Sequence, residues 1–342
     1  MKISVIVPTY NRLEQLKRVI VGLEQQSCHH KSFEVIIVSD GSTDGTDDYL
    51  HSLRTPLQLR PIFQKNQGAA TARNRGVKEA GGEIIVFIDD DLVPSPQLLQ
   101  EHRRWHESQD NVVVLGPMLT PHDFVMSPWV RWEQAMLTKQ YDSMASGAWQ
   151  PTPRQFYTGN ASLARSHLLA AGGFDPAFRR AEDVELAYRL AEQNLRFLFN
   201  PLAIGYHYAE RSFASWMNIP YAYGRNDVVF TMQKEQNWLL PIVWREFRGR
   251  HALVKFLTFL CLDRPLVSTI VLSILKQGAK MRSERVSQFA YSGLFNLRYY
   301  QGITDELGGR DFFMAGVLRA GLRAEVSLRP HRMPRPTRDV GA

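Results

Sequence analysis

The chain has 342 residues, of which 44% are hydrophobic and 22% are charged. These proportions are ordinary for globular proteins, and they exclude wholesale disorder and fibrous or collagen-like structures. The formal charge of +7 and the pI near 9.4 indicate an anionic partner, which composition leaves open between a phosphate, a nucleic acid and a membrane surface.

Short apolar runs alternate with helical patterns over residues 1–116. The predicted strands are 3–7, 33–38, 57–63, 84–88 and 112–115, and the predicted helices include 13–23 and 68–80. Continuous apolar strands joined by helices predict an α/β fold with a mostly parallel, Rossmann-like sheet covered on both faces. In such a sheet, ligands bind beyond the carboxyl ends of the strands.

The rest of the chain is less regular. Residues 117–235 are rich in Pro and Trp, with a helix predicted from about residue 182 to residue 193. Residues 236–322 form an apolar and basic region that we predict to be a helical appendage. Residues 323–342 are an Arg- and Pro-rich tail that we predict to be disordered.

The cysteines and the N-terminus bear on the compartment. Cys28 and Cys261 are not in a CxxC spacing, so they predict neither a disulfide framework nor a zinc knuckle. The apolar stretch before Pro8 is too short for the apolar region of a signal peptide. We therefore expect a cytoplasmic protein, with any membrane attachment on the inner face of the cell membrane.

An acidic run follows the predicted strand 84–88. Asp89, Asp90 and Asp91 repel one another unless water or a cation offsets their charge. Mg²⁺ and Mn²⁺ prefer oxygen ligands and often take one or two carboxylates plus substrate phosphates. The run therefore indicates a cation that bridges a diphosphate, and the alternative is an acidic turn that ends the strand and caps a helix.

A second acidic turn, at residues 38–46, follows the predicted strand 33–38. Asp40 could accept hydrogen bonds from a base or a ribose, as carboxylates at this edge of a sheet often do. Ser42, Thr43 and Asp44 are more typical of residues that cap the next helix.

Four motifs occur in order between residues 4 and 91. They are SVIVPTYNR from Ser4, DGSTD from Asp40, NQGAATARN from Asn66 and FIDDD from Phe87. Together they resemble glycosyltransferase family 2, and with later motifs the resemblance covers roughly residues 1–230. It implies a GT-A type fold in which residues 1–116 bind a nucleotide sugar and residues 117–235 bind the acceptor and hold the catalytic base.

The resemblance also implies an inverting transfer of a sugar from a UDP-, GDP- or dTDP-sugar to a hydroxyl acceptor, with Mn²⁺ or Mg²⁺ as cofactor. The residues expected to contact the nucleotide sugar are Pro8, Thr9, Tyr10, Arg12, Asp40, Asn66, Arg73, Asp89 and Asp90. Tyr10 would offer a stacking face to the base, and Arg73 a fork for the base or the diphosphate. Asp89 and Asp91 match the first and third positions of the family's DxD motif and would hold the metal, with Asp91 expected to contact it directly.

Later residues resemble the acceptor side of the family. Glu182 and Asp183 match its acidic pair, in which Asp183 is the base, although both could simply cap a helix. His207 would complete the metal shell, with a structural histidine as the alternative. Gly159 and Asn160 resemble an acceptor-loop pair.

One motif of the family's processive members is missing. No QxxRW sequence follows Asp183, and the nearest similar run, from Gln100 to Trp105, precedes it. We therefore expect the transfer of a single sugar per encounter.

Residues 252–275 are apolar but interrupted. Lys255, Asp263, Arg264 and Pro265 leave no uninterrupted piece near the roughly 20 residues that span a bilayer. Basic residues flank the segment on both sides, namely Arg245, Arg248, Arg250, Lys276, Lys280, Arg282 and Arg285. We expect it to lie on an anionic membrane surface, with a core-packed helical pair as the alternative. A sugar on a polyprenyl-linked lipid would then be a natural acceptor, in cell-surface polysaccharide or glycolipid synthesis.

Two other classes of protein share some of these features. A sugar-phosphate nucleotidyltransferase also combines a parallel sheet with metal-binding carboxylates, but the Gly-rich loop expected after its first strand is replaced here by residues 8–12. A nucleic-acid-binding protein would suit the basic charge. However, no recognised motif interleaves aromatic with basic residues, so we expect no nucleic-acid partner.

Overall fold

The computed structural model describes residues 1–178 and 180–323, without the side chains of residues 320–323. The described residues form ten strands: β1 (Ile3–Thr9), β2 (Phe33–Asp40), β3 (Leu59–Gln64), β4 (Ile84–Ile88), β5 (Leu92–Pro94), β6 (Val112–Leu115), β7 (Met118–Leu119), β8 (Asn160–Ala164), β9 (Arg196–Phe199) and β10 (Gly205–His207). The five strands predicted from the sequence are all present, each within two residues of its predicted start and end.

The α-helices account for most of the remaining regular structure. They are α1 (Leu13–Glu24), α2 (Thr46–Ser52), α3 (Ala69–Glu79), α4 (Leu98–Ser108), α5 (Pro128–Ala145), α6 (Arg165–Ala170), α7 (Glu182–Glu192), α8 (Phe213–Gln233), α9 (Leu239–Gly249), α10 (Ala252–Cys261), α11 (Pro265–Ala279), α12 (Glu284–Leu307) and α13 (Arg310–Arg323). The predicted helices at 13–23, 68–80 and 182–193 correspond to α1, α3 and α7.

Seven strands form the main sheet, in the order β3-β2-β1-β4-β8-β6-β9. β8 is antiparallel to both of its neighbours, and the other strand pairs are parallel. The prediction of a mostly parallel sheet is thus confirmed. A small second sheet, in the order β5-β10-β7, lies beyond the end of β4.

The main sheet is buried on both faces because alternate residues of its strands enter two different apolar clusters. Ile6 and Phe87 belong to a cluster that includes Leu186 of α7. Val5 and Val86 belong to a second cluster, which includes residues of α1 and α4. This arrangement explains why the strands read as continuous apolar runs rather than as an alternating pattern.

The chain divides into two compact units, Met1–Trp216 and a second unit that begins at Met217. The predicted halves 1–116 and 117–235 share the main sheet, since β8 pairs with both β4 and β6. The helical appendage was predicted from residue 236, whereas the second unit begins earlier, at Met217. Apart from Arg323, which ends α13, the predicted disordered tail lies outside the described residues.

The second unit is helical and has its own core. Trp244, Phe247, Tyr300 and Phe313 form edge-to-face aromatic pairs with ring centroids 4.8–5.7 Å apart. Within the described part of the chain, no helix combines the length and the apolar character needed to cross a bilayer.

Two histidines of α4 are buried against β8 in a polar chain. His102 lies within hydrogen-bonding distance of Asn160 Oδ1 (Nε2, 2.9 Å) and of Ser162 Oγ (Nδ1, 2.8 Å). His106 Nε2 lies 2.8 Å from the same hydroxyl. Burial lowers the pKa of His102 to about 4, and burial together with His102 lowers the pKa of His106 to about 3. Both rings are therefore neutral in the folded protein at neutral pH.

This pair makes the fold sensitive to acid. Each histidine has a folded pKa below its unfolded value of about 6.5, so the unfolded chain takes up protons first as the pH falls. The stabilisation is complete above about pH 6.5 and is lost as the pH falls towards about 4, by about 2 kcal/mol per histidine at pH 5. In urea unfolding at a series of pH values, His106→Gln should flatten the loss between pH 6.5 and 5, whereas His51→Gln, at an exposed site, should not. If the free energy of unfolding falls equally with pH in the wild type, His106→Gln and His51→Gln, His106 is not a source of the acid sensitivity.

Candidate active site

The carboxyl ends of β1, β2 and β4 border one cavity of about 410 Å³. These ends are adjacent because β1 lies between β2 and β4 and is parallel to both. The cavity is lined by Pro8, Thr9, Tyr10, Arg12, Asp40, Ala69, Ala72, Arg73, Asp89, Asp90, Asp91, His207 and Arg211. Ten of these are residues that the sequence singled out, so the polar residues predicted for this edge do lie together.

Side-chain hydrogen bonds connect the loops that follow β1 and β2. Asn11 has a left-handed backbone (φ 52°), and its Oδ1 accepts a hydrogen bond from Thr43 N at 2.7 Å. Asp44 accepts one from Leu13 N at 3.0 Å and another from Thr46 Oγ1 at 2.6 Å, so it stabilises the starts of α1 and α2. Asp44 thus fits the helix-capping interpretation in part, whereas Ser42 and Thr43 bond to Asn11 and the N-cap residue of α2 is Gly45.

Asp40 holds the turn that leads into α3. Its carboxylate accepts hydrogen bonds from Gln64 Nε2 (2.7 Å), Gln67 N (2.9 Å) and Gly68 N (2.8 Å). It is 4% exposed and still lines the cavity, so it combines this structural role with a position at the predicted nucleotide site. Asn66, which was predicted to flank the nucleotide, is exposed on the turn and lies outside the cavity lining.

A buried arginine joins two parts of the site. Arg73 Nη2 lies 2.9 Å from Asp89 Oδ1, and Arg73 Nη1 lies 2.8 Å from Glu182 Oε1. Burial opposes the charge on Arg73, but Asp89, Glu182 and Asp183 outweigh it and raise the pKa of the guanidinium. Arg73 was predicted to hold the base or the diphosphate. Its two Nη atoms are instead bound to carboxylates of this chain.

Asp91 lies between an imidazole and a guanidinium. His207 Nε2 is 3.2 Å from Asp91 Oδ1, and Arg12 Nη1 contacts Oδ2. Burial alone would raise the pKa of Asp91, but His207 and Arg12 hold it well below its usual value. In return, Asp91 and Asp89 raise the pKa of His207 against the effect of burial.

The pairing of β10 with β5 brings His207 to this position. His207 is the register partner of Leu92, which follows Asp91 directly, and Tyr208 N donates to Asp91 O at 2.9 Å. Residues more than a hundred positions apart in the chain are therefore fixed beside each other by the backbone.

Asp90 has a different environment from Asp91. Burial and the neighbouring charge of Asp91 raise the pKa of Asp90 to about 7, although Arg12 Nη1, at 3.5 Å, opposes this shift. The sequence placed Asp90 at the variable position of the motif. In the structure, Arg12 lies farther from Asp90 than from Asp91.

The donor atoms at this edge suit a divalent cation that takes part of its shell from a substrate. The Nδ1 atom of His207 is buried and finds no hydrogen-bond partner within residues 1–178 and 180–323. His207 and Asp91 supply nitrogen and oxygen donors, the types that Mn²⁺ accepts. The described residues contain no group of three potential protein ligands arranged around one point.

The acidic pair lies in the first turn of α7. Ala181, just before it, has a left-handed backbone (φ 58°), and Asp183 Oδ1 accepts a hydrogen bond from Val184 N at 2.8 Å. Burial and Glu182 raise the pKa of Asp183 to about 7, against the lowering effects of Arg73 and this hydrogen bond. A helix N-terminus favours the charged form of a carboxylate, so burial and like charge dominate here.

Gly159 and Asn160, the predicted acceptor-loop pair, have different environments in the structure. A Cβ atom at Gly159 would lie 3.0 Å from Asp89 Oδ2 and 2.6 Å from Met118 Sδ, so this glycine allows the close approach of the loop to Asp89. Asn160 is 1% exposed, and its amide donates to Pro117 O at 3.0 Å and to Ala203 O at 2.7 Å. Its acceptor-binding prediction is therefore replaced by a structural role.

Three residues of the cavity wall were missed. Ala69 and Ala72 lie in the first turn of α3 and line the cavity beside the carboxylates. Their sequence pattern is that of an ordinary helix, so it did not mark them as site residues. Arg211 lies in the loop after β10, with Nη1 3.3 Å from Glu133 Oε2. Trp129 Nε1 also donates to Arg211 O at 2.9 Å, so α5 positions both the backbone and the side chain.

The sheet order, the acidic ends of its strands and the flanking helices are those of a GT-A type fold. Residues 4–169 match the model of the family described as Glycosyl transferase family 2. This part of the chain belongs to that family. Glu182, Asp183 and His207 lie beyond the matched residues, although within the extent expected from the sequence.

Similar proteins agree with this assignment. Validoxylamine A glucosyltransferase from Streptomyces hygroscopicus subsp. jinggangensis is 32% identical over 215 residues, which cover 55% of this chain and 51% of that protein. The chain thus spans about half the length of this curated relative.

Two solved structures share the fold at low sequence identity. Staphylococcus aureus TarS 1–349, solved in complex with UDP-GlcNAc, has a TM-score of 0.54 at 20% identity, covering 88% of this chain and 90% of that one. The mannosyltransferase PcManGT from Pyrobaculum calidifontis, solved with GDP-Man and Mn²⁺, has a TM-score of 0.54 at 18% identity, covering 95% and 87%.

The two ion pairs of Arg73 should make it important for stability. Arg73→Ala would leave the carboxylates of Asp89 and Glu182 without their cation, and we expect the free energy of unfolding to fall by about 3 kcal/mol or more. The matched control is Arg75→Ala on the same helix, which removes an exposed pair with Glu79 (3.4 Å) and should cost less than about 1 kcal/mol. Urea unfolding measures both changes, and equal losses would refute the role given to Arg73.

Proposed function

We propose that this protein is an inverting, non-processive glycosyltransferase that moves a sugar from a nucleoside diphosphate donor to a hydroxyl acceptor. The observation that carries the proposal is the chain of ion pairs Asp89–Arg73–Glu182. It joins the acidic edge of the sheet to Glu182, the neighbour of Asp183 in the first turn of α7, although neither acid lines the cavity itself. Family membership supports the same chemistry.

The donor's nucleotide would enter at the end of the cavity formed by β1 and β2. Tyr10 is 48% exposed at the rim, where its ring is free to stack on a base. Thr9 Oγ1 is buried beside the carboxylate of Asp90 and would bind a polar atom of the nucleotide. TarS and PcManGT were solved with UDP-GlcNAc and GDP-Man, which supports a UDP-, GDP- or dTDP-sugar as the donor class.

The diphosphate would lie at Asp89, Asp91 and His207, together with Mn²⁺ or Mg²⁺. A divalent cation would offset the charge that builds on the leaving diphosphate. Arg12 and Arg211 line the same cavity and would supply further positive charge. Mn²⁺ in the PcManGT structure supports this cofactor class.

Asp183 would act as the base. Its carboxylate takes the proton of the acceptor hydroxyl while the oxygen forms a bond to the anomeric carbon. The bond from that carbon to the diphosphate breaks at the same time, and the nucleoside diphosphate leaves with the electron pair. Attack opposite the leaving group inverts the anomeric centre. A pKa of about 7 matches the operating range of an effective general base.

The acceptor class that we propose is a sugar hydroxyl, free or carried on a polyprenyl-linked lipid, in cell-surface polysaccharide or glycolipid synthesis. An anionic lipid-linked acceptor would complement the net charge of +7. The missing QxxRW motif supports single-sugar products. Release of pyrophosphate instead of a nucleoside diphosphate would favour a nucleotidyltransferase.

Removing the base should stop transfer but leave donor binding intact. We expect Asp183→Asn to lower kcat by about 100- to 10,000-fold. The control is Glu192→Gln, an exposed carboxylate at the other end of α7, which should retain activity. Donor-dependent thermal shift and product formation give the two readouts. Near-wild-type turnover of Asp183→Asn with a true acceptor would assign the base to another residue.

If His207 binds the metal, replacing it should weaken metal binding. We expect His207→Ala to raise the Mn²⁺ concentration needed for half-maximal activity by at least about tenfold, because one protein ligand is lost. His51→Ala, at an exposed histidine, should leave that concentration unchanged. If a chelator leaves the wild-type rate unaffected, the metal is not part of the reaction.

A further inference from the structure

The second unit exposes an unusual number of large apolar side chains on two consecutive helices. On α11, Leu266, Ile270 and Ile274 are 81%, 60% and 64% exposed. On α10, Leu253, Phe256 and Phe259 are 41%, 58% and 45% exposed. Spacings of three and four residues place each set on one side of its helix. We call these six residues the apolar face.

The opposite sides of both helices are buried against α12. α10 buries Val254, Thr258 and Cys261, and α11 buries Ser268, Leu275 and Ala279. Both helices contact α12, and a Cβ atom at Gly293 of α12 would lie 3.1 Å from Leu275. Because α10 and α11 pack on the same helix, their exposed sides both point away from it.

Basic residues outnumber acidic ones in and beside α10 and α11. Residues 248–285 contain eight basic side chains and two acidic ones. The exposed basic residues of this stretch are Arg248, Arg250, Arg264, Lys276, Lys280, Arg282 and Arg285. Of the two acids, Asp263 is bound through its carboxylate to Arg310 N.

We propose that the apolar face docks on the surface of an anionic lipid bilayer. Its side chains would enter the boundary between headgroups and acyl chains, while the surrounding lysines and arginines contact anionic headgroups. A second copy of this chain fits less well, because its own basic residues would repel those around the face. The described helices are too short or too polar to span, so the segment would lie along the surface.

The test uses the full-length protein and flotation with two kinds of vesicle: phosphatidylcholine alone, and equal parts of phosphatidylcholine and phosphatidylglycerol. We expect binding only to the anionic vesicles and a loss of binding as salt rises. Ile270→Ser combined with Ile274→Ser should weaken binding by more than about tenfold, through lost apolar burial. Lys276→Gln should weaken it by about fivefold.

Leu318→Ser is the control, since Leu318 is 65% exposed on α13 outside the apolar face, and it should bind like the wild type. The altered side chains are exposed, so the melting temperature and the donor-dependent thermal shift should not change in any variant. This second readout separates a failure of docking from a failure of the proposed transfer chemistry.

Equal binding of the wild type to both vesicles, or to neither, would overturn the proposal. So would wild-type binding that the paired isoleucine substitutions leave unchanged. A dimer in light scattering that those substitutions dissociate, without vesicle binding, would assign the face to a second copy of the chain instead.

Discussion

The site depends on one electrostatic constraint: three consecutive aspartates must share the end of a buried strand. Such carboxylates are costly to bury and repel one another, so each needs its own compensation. Asp89 has Arg73, Asp91 has Arg12 and His207, and Asp90 has a long contact to Arg12 and the hydroxyl of Thr9. Because their partners differ, the three successive carboxylates are chemically distinct.

The contrast between Asp90 and Asp91 follows from geometry. Both are nearly buried and both face Arg12, yet the pKa of Asp91 is lowered and that of Asp90 is raised. His207 contacts only Asp91, and Arg12 approaches Asp91 more closely than Asp90. The charged form is therefore favoured more strongly at Asp91 than at Asp90.

Sequence reasoning located the edge of the sheet because strand ends carry a local signal. Asp40 and Asp89 each follow an unbroken apolar run, and parallel strands bring such ends together. The side-chain pairing carries no local signal. Arg73 and Glu182 are more than a hundred residues apart, and only the packing of α3 and α7 on the same face of the sheet makes them partners. Asn160 shows the same limit, since a motif does not reveal whether an amide points to solvent or into a buried network.

Arg211 was missed for a related reason. Nothing in its neighbourhood distinguishes it from other surface arginines, and its position depends on Glu133 and Trp129 of a helix that precedes it by about eighty residues. Glu133 is partly buried, which raises its pKa, while Arg211 favours its charged form. Each group therefore stabilises the charge of the other, and α5 contributes to the cavity without lining it.

The strand β10 shows how a late segment completes a site built early in the chain. The residues up to Asp91 supply the carboxylates and two of their arginines, but Asp91 gains its imidazole only when β10 pairs with β5. The backbone bond from Tyr208 to Asp91 fixes that approach independently of the side chains. The local charge balance at Asp91 therefore depends on residues beyond the family match at 4–169, and a fragment that ended there would keep the acidic edge but lose one of its counter-charges.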